Sequence, residues 1–86
     1  MTKQPVLPLN VVARAPFHVY YEGTAERVSA VNRVGTFDIL PGHADFFSVL
    51  SPGDVSIETD SDMITFKIVN GIMAVRDNSV MLFINI

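Results

Sequence analysis

His43 and Asp45 are the residues whose types and spacing come nearest to chemistry. Pro41 and Gly42 precede them, and Pro-Gly marks a sharp, defined reversal, because proline fixes φ and glycine tolerates positive φ. A histidine held on such a turn two residues before an aspartate could form a base–carboxylate pair or the start of a metal site. Two ligands do not close a zinc site, which takes three or four. The reading that survives is a neutral, turn-fixing histidine at a protein interface.

His18 alternates with the apolar Val19 and reads as a surface or hydrogen-bonded structural residue. Asp54, Glu58, Asp60 and Asp62 resemble a calcium loop only loosely. They lack the glycine at the sixth position and the glutamate at the twelfth. They read as a solvated acidic turn, with Asp60 and Asp62 guarding a strand edge against aggregation. The chain contains no phosphate-cradling glycine motif and no G-x-S-x-G elbow. The expectation is a chain with no catalytic residue, no cofactor and no metal.

Composition narrows the partners. The 86 residues contain no cysteine, which excludes disulfides and thiolate metal sites. Six basic residues are scattered and the net charge is −3, so there is no basic stripe for a phosphate backbone. With no tryptophan and no aromatic–basic interleaving, nucleic-acid binding is not expected. The chain is 49% hydrophobic and only 17% charged, a rich core supply under a bland surface. Such a balance points to surface covered by a partner. The N-terminus lacks the apolar region of a signal peptide, and the longest unbroken apolar run, Val80 to Ile84, is far short of a membrane span. The expectation is a soluble, intracellular, single-domain chain over residues 1–86, with Met1 to Pro5 as a frayed end.

The elements that must position these residues are strands. Ile64, Phe66 and Ile68 alternate with Thr65, Lys67 and Val69, and Val55 and Ile57 alternate with Ser56 and Glu58. No window shows a helical face. Turn signals fall at Glu22-Gly23, Pro41-Gly42, Pro52-Gly53, Asp60-Ser61-Asp62, Asn70-Gly71 and Asp77-Asn78. The pattern predicts strands at Leu7–Val12, Phe17–Glu22, Ala25–Asn32, Thr36–Leu40, Asp45–Leu50, Asp54–Thr59, Met63–Asn70, Ile72–Arg76 and Ser79–Ile84. The fold class is all-β, a flattened antiparallel sandwich of roughly nine to ten short strands. The last strand is apolar on both faces, with Val80, Leu82 and Ile84 against Met81 and Phe83. Three readings stay open for it: a central or loop-covered strand, an external docking face, or a strand covered by a continuation of the chain.

A resemblance sharpens this. Gly35-Thr36-Phe37-Asp38-Ile39-Leu40-Pro41-Gly42-His43-Ala44 resembles the G-x-[LF]-G-I-L-P-G-H-A signature of the N-terminal β-domain of the ε subunit of F-type ATP synthases (δ in mitochondria), with Asp38 where glycine is usual. Leu9 to Val12 is similar to that family's L-x-V-V, Leu50 to Gly53 to L-K-P-G, Val69 to Val75 to S-G-G-F-L-E-V, and Asn78 to Leu82 to N-V-T-V-L. The likeness covers about Leu7 to Leu82, although Phe17 to Gly23 lacks the family's S-G pair.

The resemblance implies a non-catalytic rotor subunit, peripheral on the cytoplasmic face of the inner (plasma) membrane. One side would pack on the γ shaft and one end would rest on the polar loops of the c-ring, coupling rotation driven by protons or sodium ions to ATP synthesis. The interface residues it implies are Asn32, Arg33, Val34 and Gly35 at the ring-facing tip, Pro41, Gly42 and His43 in the signature turn, and Met81 and Phe83 on the last strand. That tip lacks the family's glycine-rich insertion, a shortening that resembles the reduced ε subunits of some sodium-type relatives. The family's inhibitory C-terminal helical hairpin, which binds ATP in some bacteria, has no counterpart before Ile86, so inhibition and nucleotide sensing are not carried over. The alternatives are a free-standing β-sandwich interaction or ligand-binding module, and an enzyme with a pocket around His43 and Asp45.

Overall fold

The computed structural model describes residues 7–86, so the expected frayed end at Met1 to Pro5 lies outside the described residues. Nine strands follow one another: β1 (Leu9–Ala15), β2 (His18–Ala25), β3 (Arg27–Asn32), β4 (Gly35–Ile39), β5 (Phe46–Leu50), β6 (Gly53–Glu58), β7 (Met63–Ile68), β8 (Gly71–Arg76) and β9 (Ser79–Ile84). They build a five-stranded sheet in the order β2-β1-β9-β8-β5 and a four-stranded sheet in the order β4-β3-β6-β7. Each sheet hides one face against the other, which is how strands with one apolar side become stable.

The core is the inward set of both sheets. Leu9, Val11, Ala13, Met73, Val80, Leu82 and Ile84 from the larger sheet meet Val28, Ile39, Val55 and Ile57 from the smaller one. No described polar or charged residue is buried with them. Aromatic pairs close the two open sides. Tyr20 of β2 stacks on Phe66 of β7 at 4.7 Å, and Phe37 of β4 meets Phe46 of β5 at 5.5 Å.

Two expectations are corrected. Glu22-Gly23 is not a turn but the interior of β2, paired with Val12 and Val11. The reversal comes earlier, at Pro16-Phe17, so β1 runs on to Ala15. A bulge at Ala13/Arg14 accounts for the blurred alternation: it sets Tyr20 opposite no β1 residue and brings Tyr20 and Tyr21 together against the core. Gly23 is admitted to the strand because the Tyr21 side chain lies over it, its hydroxyl 3.1 Å from where a Cβ would stand.

The sandwich is also not wholly antiparallel. β1 and β9 run parallel, from Asn10↔Ser79 to Arg14↔Phe83. The intervening chain supplies the long crossover a parallel pair needs. Asp60 and Asp62 sit in the Thr59–Asp62 turn, where the Thr59 hydroxyl accepts from the Asp62 amide at 2.9 Å. Asp62 directly precedes β7, the outer strand of the smaller sheet.

Candidate docking surfaces

The registers order the outward side chains of the larger sheet. Across β1, β9, β8 and β5 one row reads Val12, Met81, Ala74, Phe47, and the next reads Arg14, Phe83, Ile72, Val49, with Glu22 and Val19 of β2 at their edge. Six of these eight positions are larger than alanine and apolar or nearly so along their length, and solvent reaches them: Phe47 is 64% exposed, Val49 66%, Met81 41% and Phe83 36%. The inner residues of the same strands, Met73, Val75, Val80 and Leu82, lie in the core. The apolar doubling of β8 and β9 therefore describes a strand pair with one face sealed and one face open. Among the three readings left by the sequence, the open outer face matches an external docking surface.

The smaller sheet shows the ordinary outcome. Its outward row Asp38, Ser29, Ser56, Thr65 is polar throughout. Ser29 donates to the Asp38 carboxylate at 2.6 Å, and the Ser56 and Thr65 hydroxyls meet at 3.1 Å. Arg27 pairs with Glu58 at 2.6 Å and Lys67 with Asp54 at 3.5 Å. This is the face that water covers. The asymmetry between the two sheets is the main electrostatic fact of the domain, because a contiguous apolar face on one side only marks an interaction surface.

The sequence-derived residues fall on three separate surfaces. Asn32, Arg33, Val34 and Gly35 form the β3–β4 turn, where the Asn32 side-chain oxygen accepts from the Val34 amide at 2.9 Å and the Gly35 amide at 3.2 Å. That Asx-type closure makes a short, stiff tip. Val34 at its apex is 91% exposed. Pro41, Gly42 and His43 lie at the opposite end of β4. Met81 and Phe83 lie between, on the open face. The fold does not bring the tip and the signature turn together.

The signature turn is a type II reversal. The His43 amide donates to the Leu40 carbonyl at 3.0 Å, with Gly42 at φ +83 in the position that requires it. Asn78 ties this turn down. Its side-chain oxygen accepts from the Gly42 amide at 2.8 Å, and its Nδ2 donates to the Leu7 and Pro8 carbonyls at 3.0 and 3.2 Å. Asn78 reaches this position because Asp77 (φ 48) and Asn78 (φ 66) form a type I′ hairpin turn, which asparagine tolerates.

His43 and Asp45 do not act on each other. The His43 Nδ1 lies 2.7 Å from the Ala44 carbonyl, its ring meets Phe46 edge-on at 5.7 Å, and the Asp45 carboxylate accepts from the Asp77 amide at 3.3 Å. Both side chains are engaged in fixing loops. Among the described residues no group of three or more His, Asp or Glu could hold a metal ion. His18 meets the Tyr20 ring edge-on at 4.5 Å and is exposed, as a surface histidine should be.

Sequence reasoning passed over Phe47, Val49, Phe17 and Asn78. The run Phe46-Phe47-Ser48-Val49-Leu50 is apolar at nearly every position, so its period does not tell inside from outside. Phe17 was placed in a strand and stands instead at the apex of the β1–β2 turn, fully exposed at 102%.

Comparison with known proteins agrees with this architecture. Residues 7–85 match the family described as ATP synthase, Delta/Epsilon chain, beta-sandwich domain. The ATP synthase epsilon chain of Synechococcus elongatus is 28% identical over 79 residues, 92% of this chain and 58% of that one. The ATP synthase epsilon chain of Ruthia magnifica is 35% identical over 63 residues, 73% of this chain and 46% of that one. The chain thus spans about half the length of the curated relatives it matches. Among solved structures, a chain of the Euglena gracilis mitochondrial ATP synthase (OSCP/F1/c-ring) superposes with a TM-score of 0.84 at 16% identity, covering 96% of this chain and 53% of that chain. A chain of the Tetrahymena thermophila mitochondrial ATP synthase central stalk and c-ring gives 0.79 at 20% identity, covering 94% and 66%. At these identities the likeness establishes the fold.

Proposed function

Because the chain belongs to the ATP synthase delta/epsilon β-sandwich family, we propose that it is a non-catalytic central-stalk subunit of a rotary ATP synthase. In this reading the open face of the five-stranded sheet packs on the rotating γ shaft. The end that carries Asn32 to Gly35 rests on the polar loops of the c-ring, and the signature turn around His43 is a rigid border of the shaft contact. The assembly, driven by protons or sodium ions, would hold the chain peripherally at the cytoplasmic face of the inner (plasma) membrane. No helix among the described residues is long and apolar enough to cross a membrane.

One observation carries this: the rows built on Met81, Phe83, Ile72, Phe47 and Val49 leave an apolar face open on a sandwich whose core is already complete without it. The mechanical role follows from packing. A sandwich interior is as dense and incompressible as an organic crystal, so force applied at one end reaches the shaft contact without loss to internal deformation. The chain contributes position and stiffness; bond making and breaking belong to other subunits.

The test is a titration of the full chain against a purified γ-type subunit. Phe83→Asp is expected to weaken binding at least about tenfold, because a charge at a desolvated contact is costly, while lowering the melting temperature by less than about 8 °C. Equal losses of binding and stability would place Phe83 in the core and overturn the docking face. A wild-type chain with no affinity for the shaft would favour the free-standing interaction module instead.

A further inference from the structure

The two apolar rows of the larger sheet hold two charges, and both lie at the β1–β2 margin. Arg14 of β1 stands between Phe83 of β9 and Val19 of β2, and Glu22 of β2 stands beside Val12. The other outward positions of these rows are uncharged. Glu22 and Arg14 are set diagonally, about 7–8 Å apart at Cβ. The bulge at Ala13/Arg14 separates them further along β2. Neither takes part in an ion pair among the described residues. The smaller sheet does the opposite with its directly opposed charges: Arg27 pairs with Glu58, and Lys67 with Asp54.

Each unpaired charge has surroundings that select its partner. Arg14 is half-buried. A partner laid over Phe83 strips water from the guanidinium, a penalty offset only where that partner supplies an acceptor. A carboxylate fits best, because it takes the guanidinium fork through two parallel bonds. Glu22 lies in a hollow of about 370 Å³ between β2, β1 and β9. Val12 and Met81 give the hollow its apolar lining, Asn10, Thr24 and Ser79 add polar groups, and Glu22 is its one charge. That combination suits a lysine or arginine, whose alkyl stem lies on apolar surface while its head reaches a carboxylate. Through Val12 and Met81 the hollow is continuous with the docking face.

We propose that this margin reads a pair of opposite charges on the shaft subunit: a carboxylate against Arg14 and, beside it, a basic side chain seated in the hollow against Glu22. The inference rests on the shaft-docking reading and adds a means of fixing orientation. An apolar face alone accepts a partner in many rotations. A shaft segment turned end for end sets like charge against like, and such contacts reject wrong arrangements strongly.

The test is a titration of charge variants of the full chain against the purified γ-type subunit of the same organism. Arg14→Glu and Glu22→Lys should each weaken binding at least about tenfold. Arg14→Gln, which removes the charge without reversing it, should weaken binding by a smaller factor and fold as the wild type does by circular dichroism. The chain carrying both Arg14→Glu and Glu22→Lys should bind no better than the weaker single variant, because each side chain has its partner on the shaft. Recovery in that double variant would mean that Arg14 and Glu22 pair with each other, and would overturn the proposal. On the shaft side, one single Asp→Lys or Glu→Lys variant should restore Arg14→Glu to within about threefold of wild type and leave Glu22→Lys unimproved. A single Lys→Glu or Arg→Glu variant should do the reverse. No rescue by any shaft variant, or wild-type affinity in both single variants while Phe83→Asp still loses binding, would overturn this inference and leave the docking face standing. A wild-type chain that does not bind the shaft would overturn both.

Discussion

Asn78 does more for this fold than its place in a two-residue hairpin turn suggests. Its backbone makes the reversal between β8 and β9, and its side chain holds the β4–β5 turn and the entry to β1. Asn78→Ala removes those bonds and also strains a left-handed residue, so it should cost about 1–3 kcal/mol. Asn78→Gly removes the bonds but relieves the strain, so its melting temperature should fall between alanine and wild type. Thermal melts that rank glycine below alanine would contradict the role given to φ. Gly71 is a second sensitive position, for a different reason. A Cβ there would lie 2.8 Å from the Phe83 carbonyl oxygen, a backbone atom that cannot swing away. Gly71→Ala should therefore force β8 from β9 and destabilise by more than about 1 kcal/mol, which denaturant unfolding would measure. The histidine that looked most like chemistry is a loop residue: adding zinc to the chain should leave the His43 ring proton shifts in place.

Strand β9 shows how much a period of two can say. Leu82 and Phe83 are neighbours with opposite fates, one wholly inside and one on the open face. Leu82→Asp should abolish folding, since an unpaired buried charge costs several kcal/mol, whereas Phe83→Asp should fold; circular dichroism of the two variants decides it. All nine strands were legible in the sequence because β6 and β7 alternate apolar with polar residues and most turns carry proline, glycine or asparagine. The misplaced boundary of β2 has a local cause. Its bulge breaks the alternation, and Gly23 mimics a turn while lying beneath a tyrosine. The parallel pairing of β1 with β9 had no local signal, because it joins strands from the two ends of the described chain. Of the candidate site, Met81 and Phe83 were visible as an apolar alternate set. Phe47 and Val49 were hidden in a run apolar on both faces, and their role appears only when β5 is paired with β8.

At the scale of the molecule, one asymmetry defines the domain. One sheet turns a polar ladder to solvent and the other an apolar face. That apolar face is not needed for the core to close, so it points outward, to a partner. It agrees with a subunit clasped against a shaft, and it makes a prediction about direction as well as affinity: the side bearing Met81 and Phe83 faces the shaft and the side bearing Thr65 faces away. Site-specific photocrosslinking reads this out in the assembled complex. A photoreactive phenylalanine analogue placed at position 83 should couple to the γ-type subunit in high yield, and the same group at position 65 should not. Crosslinks from position 65 alone, or in equal yield from both positions, would contradict the docking face on which the proposed function rests.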